Sequence, residues 1–504
     1  MTVPSATELP ALAPKAHRWE KSNTNEHSIQ RRSVGAEAIV GLEGQNRKGQ
    51  YDLYMVATLE TVVPVTSATV LTLAHLKEKF ELALLAARFQ HPECAATVSW
   101  DEHVSAIISY QPPKDNEAAL AWAKDCIHIQ PTTRSAYDVW GELEMERSAN
   151  NVIIPSKSFE VFLLANVLHQ DARIPAGAAV DVLIHTNHLF WDGISCLGQS
   201  APKFNWGQEV KNLCPPILDS LSIDVETLGA EFDNKCKEYT SALVGNYSSR
   251  GLPFTPGLGL PRCELLTLSA ENSKSVIKNI KTRLGPEFTI THLTQAAILL
   301  ALLDTLKPTD LTDDEVFVTP TSVDGRRWMR PEVANSFYSM CQTAAVVRVE
   351  NLKSIHVSHE DSSETQVKAL ERACRDVKAS YDQWLKNPYQ QALGLRVHNF
   401  EASYLQANPI PFQKKEANPL FISDGINERF LPRDIVSSAT AETIFTVERF
   451  SFLVNQMLPY LAIRLDSWKD ASTVSIIYNE ANYTKAVVQA FLKSITDFIL
   501  VFMA

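Results

Sequence analysis

One stretch limits the fold more than any other: a helix beginning at Thr291 within the run TITHLTQAAILLALLDTL. It is apolar on nearly all sides, so it cannot lie on a surface and must be surrounded by the rest of the chain. Strand-like and helix-like segments alternate around it without a regular β-α rhythm. Tyr51–Val62, Phe159–Ala165, Val180–Ile184, Glu315–Pro320, Ala344–Val349 and Ser475–Tyr478 carry strand composition. Thr97–Trp100 and Ser105–Tyr110 flank a polar turn as a hairpin would. Leu71–Phe89, Ser273–Leu284, Glu360–Leu385 and Thr484–Phe502 have helical character. This order predicts an α/β fold with mixed sheets and flanking helices, not a doubly wound parallel sheet.

At 504 residues the chain is long enough for two large domains or three small ones. Composition changes between Cys214 and Pro261, where Pro215-Pro216, an acidic helix-like stretch and Leu252-Pro253-Phe254-Thr255-Pro256-Gly257 follow one another. We therefore expect an N-terminal domain over 1–213, a crossover over 214–261 and a C-terminal domain over 262–504. The net charge of −11 argues against broad nucleic-acid binding and against docking on anionic membrane. A local basic pocket for one phosphorylated molecule stays compatible with it. Eight cysteines without a C-x-x-C pair suit a reducing compartment. The N-terminus lacks the basic-then-apolar order of a signal peptide. The greasy end Phe498–Met503 is too short to span a bilayer, and Lys493 and Asp497 precede it. The expectation is a cytoplasmic protein.

The segment with the most chemistry runs Val180-Asp-Val-Leu-Ile-His185-Thr-Asn-His188-Leu-Phe-Trp-Asp192-Gly193-Ile194-Ser195. A strand enters a loop that holds two histidines, an aspartate and a glycine. An imidazole titrates near pH ~6.5 and can take a proton from an alcohol, which is otherwise a poor nucleophile. Gly193 lacks a Cβ, so substrate or backbone can approach closely.

His188-x-x-x-Asp192-Gly193 resembles the H-H-x-x-x-D-G signature of the chloramphenicol acetyltransferase-like superfamily. That superfamily includes peptide-synthetase condensation domains, plant BAHD acyltransferases and fungal trichothecene acetyltransferases. The length, and the segment Arg88-Phe89-Gln90-His91-Pro92-Glu93-Cys94-Ala95-Ala96, look most like the fungal trichothecene 15-O-acetyltransferase group. Thr319-Pro320-Thr321-Ser322-Val323-Asp324-Gly325-Arg326-Arg327 sits where relatives carry a strand ending in a Gly-Arg turn. Asn335-Ser336-Phe337-Tyr338 follows, as a tunnel-lining segment does in relatives. Phe421-Ile422-Ser423-Asp424-Gly425-Ile426-Asn427 shares an Asp-Gly step with the plant D-F-G-W-G element.

The resemblance implies two chloramphenicol acetyltransferase-like domains with an active-site tunnel between them. Acyl-CoA, most simply acetyl-CoA, would enter as co-substrate, and a secondary-metabolite alcohol such as a terpenoid would be the acceptor. His188 would act as general base without an acyl-enzyme. Asp192 would pair with an arginine, Arg326 being favoured over Arg327 and Arg330. Phe190, Trp191, Asn335, Tyr338, Asp424 and Gly425 are the candidate substrate contacts. The first histidine of the signature is Asn187 here, a position relatives often vary. The implied enzyme needs no bound cofactor or metal and works as a monomer. A condensation-type enzyme fed by a carrier protein, or a binding protein that keeps the fold, would be the alternatives.

Plainer assignments compete at several positions. His185, at the strand end, suits a structural role. His185, His188 and Asp192 could offer three metal ligands, but a strand does not present histidines as H-E-x-x-H on a helix does. Phe190 and Trp191 could equally be core. Lys274, Lys278, Lys281 and Arg283 could hold a CoA phosphate, though a solvated helix face is the simpler expectation.

Overall fold

The structure is a computed structural model. It describes residues 9–23, 25–46, 48–62, 70–101, 105–150, 157–190, 204–243, 246, 249–407, 415–437 and 441–503. Its centre is a six-stranded sheet with the spatial order Asp434–Val436, Thr443–Val454, Leu53–Thr61, Ala179–Thr186, Phe159–Ala165, Ile127–Pro131. Every neighbouring pair is antiparallel except the last, which is parallel. Every residue of Phe159–Ala165 is buried, as a strand covered on both faces requires.

Two of those strands come from the far end of the chain. Thr443–Val454 is hydrogen-bonded along Leu53–Thr61, from Phe445 opposite Thr61 to Val454 opposite Leu53. The central sheet is therefore built from both sides of the 214–261 stretch. A second, four-stranded sheet has the order Pro261–Thr267, Ala471–Asn479, Ala462–Trp468, Leu420–Ile426. Phe317–Asp324 and Gln342–Val349 form a separate antiparallel pair. A small sheet near the N-terminus contains the expected pairing of Thr97–Trp100 with Ala106–Tyr110.

The apolar helix runs from Ile290 to Leu306, and His292 through Leu303 are all buried. It lies against the helices Ser363–Leu385 and Lys485–Val501. Its N-terminus carries a capping box, with the His292 ring accepting from the Thr289 N–H. This helix anchors one large core. A second large core contains Leu163 and Phe190 together with Ala345, Trp384 and Phe445. The fold is thus α/β with mixed sheets, as expected. The helices Ala36–Asn46, Asn116–Asp125, Ala136–Asn150 and Gln390–Ala407 were not anticipated from the sequence. Among the described residues, no helix is long and apolar enough to cross a membrane.

Candidate active site

The strand Ala179–Thr186 delivers the two histidines to different environments. His185 is 2% exposed, with its Nε2 3.2 Å from Asp52 Oδ2 and its ring against Tyr54. It belongs to a buried network in which Tyr54 donates to Glu144 and Glu144 pairs with Arg147. That is a structural position.

The chain turns immediately after Thr186, and Asn187 makes the turn. Its N–H donates to Ser158 O at 3.0 Å, and its carbonyl accepts the Phe190 N–H at 3.1 Å. Its side-chain Oδ1 accepts the Leu189 N–H at 2.9 Å. This is an Asx turn, for which asparagine is well suited. Asparagine at the first histidine position of the signature is therefore a turn-former here. Leu189 and Phe190 are each 1% exposed and pin the turn to the core. Leu189 faces Gly41 of the helix Ala36–Asn46, where a Cβ would overlap Ala106. Between these anchors His188 is half-buried and faces a cavity of about 1950 Å³.

The cavity is walled by elements from the whole chain. Ala36, Ile39 and Val40 come from the first helix, and Tyr51 and Leu53 from the start of the central strand. Phe452 and Val454 come from the strand lent by the C-terminal half. The Gly-Arg turn contributes Asp324, Arg326 and Arg327. At Gly325 the Gln391 carboxamide packs directly over the backbone, in the space a Cβ would occupy. Arg326 is held by its Nε donating to Phe337 O at 2.7 Å and its Nη1 lying 3.1 Å from Asp324 Oδ1. Asp192, Gly193 and Trp191 lie outside the described residues.

Asp424 and Gly425 are also in the wall. Asp424 does not present a bare carboxylate: Arg464, itself buried, grips it bidentately at 2.7 and 3.0 Å. Gly425 has φ +82° at a register shift in the strand, a left-handed backbone that suits glycine. Beside this pair, burial and then the Asp424 charge push the Asp466 carboxyl up to about 7, and Asn427 donates to it at 2.7 Å.

Three expected contacts lie elsewhere. Phe190 packs in the core behind the His188 turn, because its aromatic bulk anchors that turn. Tyr338 is buried, with its hydroxyl donating to Glu93 and Asn212 O and its ring 4.3 Å from the His91 ring. Asn335 is exposed at the end of the one-turn helix Pro331–Ala334. None of the three belongs to the described cavity wall.

The sequence reading overlooked His398 and Glu401, which enter the wall from the helix Gln390–Ala407. It also passed over Arg429, exposed in the wall beside Asp424 and Glu428. Lys274 does reach the wall, whereas Lys278, Lys281 and Arg283 do not. Among the described residues, no three His, Cys, Asp or Glu side chains gather as a metal site would require.

Comparison with known proteins gives a consistent picture. A family model described as 15-O-acetyltransferase Tri3 matches residues 9–402. The chain is 60% identical to the trichothecene 15-O-acetyltransferase TRI3 of Fusarium sporotrichioides, with all of both chains covered. It is 48% identical to the trichothecene O-acetyltransferase TRI3 of Trichoderma arundinaceum, over 98% of each. The solved structure of the Fusarium sporotrichioides protein superposes with a TM-score of 0.92, covering 98% of this chain and 99% of that one. The epimerization domain of tyrocidine synthetase B, at 9% identity and a TM-score of 0.52, shares the fold over 94% of this chain and 97% of its own.

Proposed function

The chain belongs to the 15-O-acetyltransferase Tri3 family, and from that premise we propose that it moves an acetyl group from acetyl-CoA to the 15-hydroxyl of a trichothecene, with His188 as general base. The observation that carries this reading is His188 on a hydrogen-bonded turn, facing a cavity large enough for two substrates.

The imidazole of His188 takes the hydroxyl proton as the alkoxide oxygen bonds to the thioester carbonyl carbon. The tetrahedral oxyanion then collapses, the carbon–sulfur bond breaks, and the leaving thiolate takes the proton from the imidazolium, which restores the neutral base. Products are the acetate ester and free CoA, and no protein atom is acylated. The apolar neighbours Leu53, Phe452 and Val454 keep bulk water from competing for the thioester. Asp192 pairs with Arg326 in this reading and fixes the loop that follows His188. Support comes from Arg326, whose guanidinium is largely buried in the same wall. The donor phosphates fall to Lys274 and Arg429, exposed wall cations that make no ion pair among the described residues. The chain works as a monomer in this reading.

His188→Ala tests the assignment. The kcat should fall by at least about 10²-fold, the range expected when a general base is removed, while binding of acetyl-CoA measured by titration calorimetry is retained. A kcat within threefold of wild type would show that another group takes the proton.

A further inference from the structure

His398 and Glu401 stand three residues apart on the helix Gln390–Ala407 and so share one face. Both line the cavity that His188 faces. The helix is fixed beside the His188 turn through one intermediary. Asn399 Oδ1 accepts the Gly35 N–H at 2.7 Å at the foot of the helix Ala36–Asn46, and that helix packs on Leu189. The helix bearing His398 and Glu401 thus packs against the element that also braces the His188 turn.

His398 is 9% exposed, and its Nδ1 is buried without a hydrogen-bond partner among the described residues. A buried polar atom left without a partner is costly, of the order of 1–3 kcal/mol, and in a cavity wall a bound ligand can complete the bond. Glu401, half-buried one turn further along, makes no hydrogen bond or ion pair among the described residues, and burial alone pushes its carboxyl up to about 7. Burial holds the His398 ring down at about 4, so it is neutral at neutral pH. An uncharged imidazole and a carboxyl that is readily protonated do not suit phosphate. They suit neutral oxygens: hydroxyl, ether or carbonyl groups on an otherwise apolar molecule.

We infer that His398 and Glu401 are specificity residues that hydrogen-bond oxygen substituents of the acceptor and orient its reacting hydroxyl toward His188. The inference rests on the acetyl transfer proposed above and assigns the acceptor to this face, opposite in chemistry to the cationic region around Lys274 and Arg429.

The test uses the full chain, acetyl-CoA and a trichothecene with a free 15-hydroxyl. Binding of the trichothecene alone is measured by calorimetry, and steady-state rates are measured against both substrates. Losing one net hydrogen bond should weaken trichothecene binding about 5–10-fold in His398→Leu and in Glu401→Leu. The KM for acetyl-CoA should stay within twofold, and Glu401→Gln, which keeps hydrogen-bonding atoms, should recover most of the loss. If His398→Leu does not fold, Glu401→Leu, at a position already in contact with solvent, carries the test. Normal trichothecene binding by both leucine variants overturns the inference, and so does an equal rise in the acetyl-CoA KM. Wild-type protein that acetylates no trichothecene would instead refute the assigned reaction, which separates the two failures.

Discussion

Asn187→Ala isolates the turn that presents His188. The substitution removes the Oδ1 that accepts the Leu189 N–H at 2.9 Å but leaves the backbone bonds to Ser158 and Phe190 in place. Leu189 is 1% exposed, so water cannot readily replace the lost acceptor. The stability cost should be about 1–2 kcal/mol, too little to unfold a domain of ordinary stability. The catalytic cost should be larger than the stability cost suggests. The His188 ring is one residue from the released amide, and a displacement of about 1 Å at a reacting group can cost up to 10²-fold. We expect kcat with acetyl-CoA and the trichothecene to fall 10–100-fold, with both KM values little changed. Asn187→Asp keeps the acceptor and adds a negative charge. It should restore most of kcat and move the acidic limb of the pH–rate profile to higher pH, because a nearby carboxylate favours the imidazolium. A kcat for Asn187→Ala within twofold of wild type, or an unmoved profile in Asn187→Asp, would refute the claim that this turn sets the base.

Other predictions follow from the same geometry. Lys274→Ala and Arg429→Ala should each raise the acetyl-CoA KM about 3–10-fold and leave the trichothecene KM alone, and the wild-type donor KM should rise with ionic strength more steeply than either variant's; equal salt dependence would remove these residues from the donor site. Glu93 is 1% exposed, and burial pushes its carboxyl up to about 7 despite hydrogen bonds from Tyr338 and the Cys214 N–H. The folded state therefore holds this proton more tightly than the unfolded chain, so the associated stability is complete below about pH 4.5 and is lost as pH rises through about 7. Glu93→Gln should flatten the fall in melting temperature between pH 5 and pH 8, whereas an unchanged slope would place the titration elsewhere.

What the sequence disclosed follows from what side chains face. The helix Ile290–Leu306 was legible because protein surrounds it, and Ala179–Thr186 because its run of β-branched and aliphatic residues is largely buried in the central sheet. Gln390–Ala407 was missed for a physical reason. Its first half is buried on all sides, Gly394 sits where a Cβ would overlap Thr343, and His398 and Glu401 face a cavity that is neither solvent nor core. Periodicity sorts residues into wet and dry, and a cavity wall is neither. Likewise, Asp424-Gly425 was visible as a turn, but nothing local names Arg464 as the partner forty residues later. Phe190 and Tyr338 neighbour the motifs in sequence, which leaves pocket and core equally open for Phe190 and suggests the pocket for Tyr338; burial puts both in the core.

The deepest dependence is one of register. Leu53 stands between Thr186 on one side and Val454 on the other, so the last rung before the His188 turn joins both halves of the chain. That alignment is set by a bulge: Val447 lies opposite Leu59 and Arg449 opposite Thr58, leaving Glu448 as the extra residue. Beyond it, Phe452 packs with Leu53 and Met55 on the cavity side, while Leu453 packs with Tyr54, Val56 and Trp140 on the other. Were Glu448 paired with Thr58 instead of bulged out, the register beyond would slip by one and every later side chain of the strand would exchange faces. Phe452 and Val454 would then leave the wall beside His188, and Leu453 would leave its apolar cluster with Tyr54, Val56 and Trp140. The wall beside the base thus depends on one extra residue about 260 positions downstream, because the bulge decides which face of the lent strand closes the cavity.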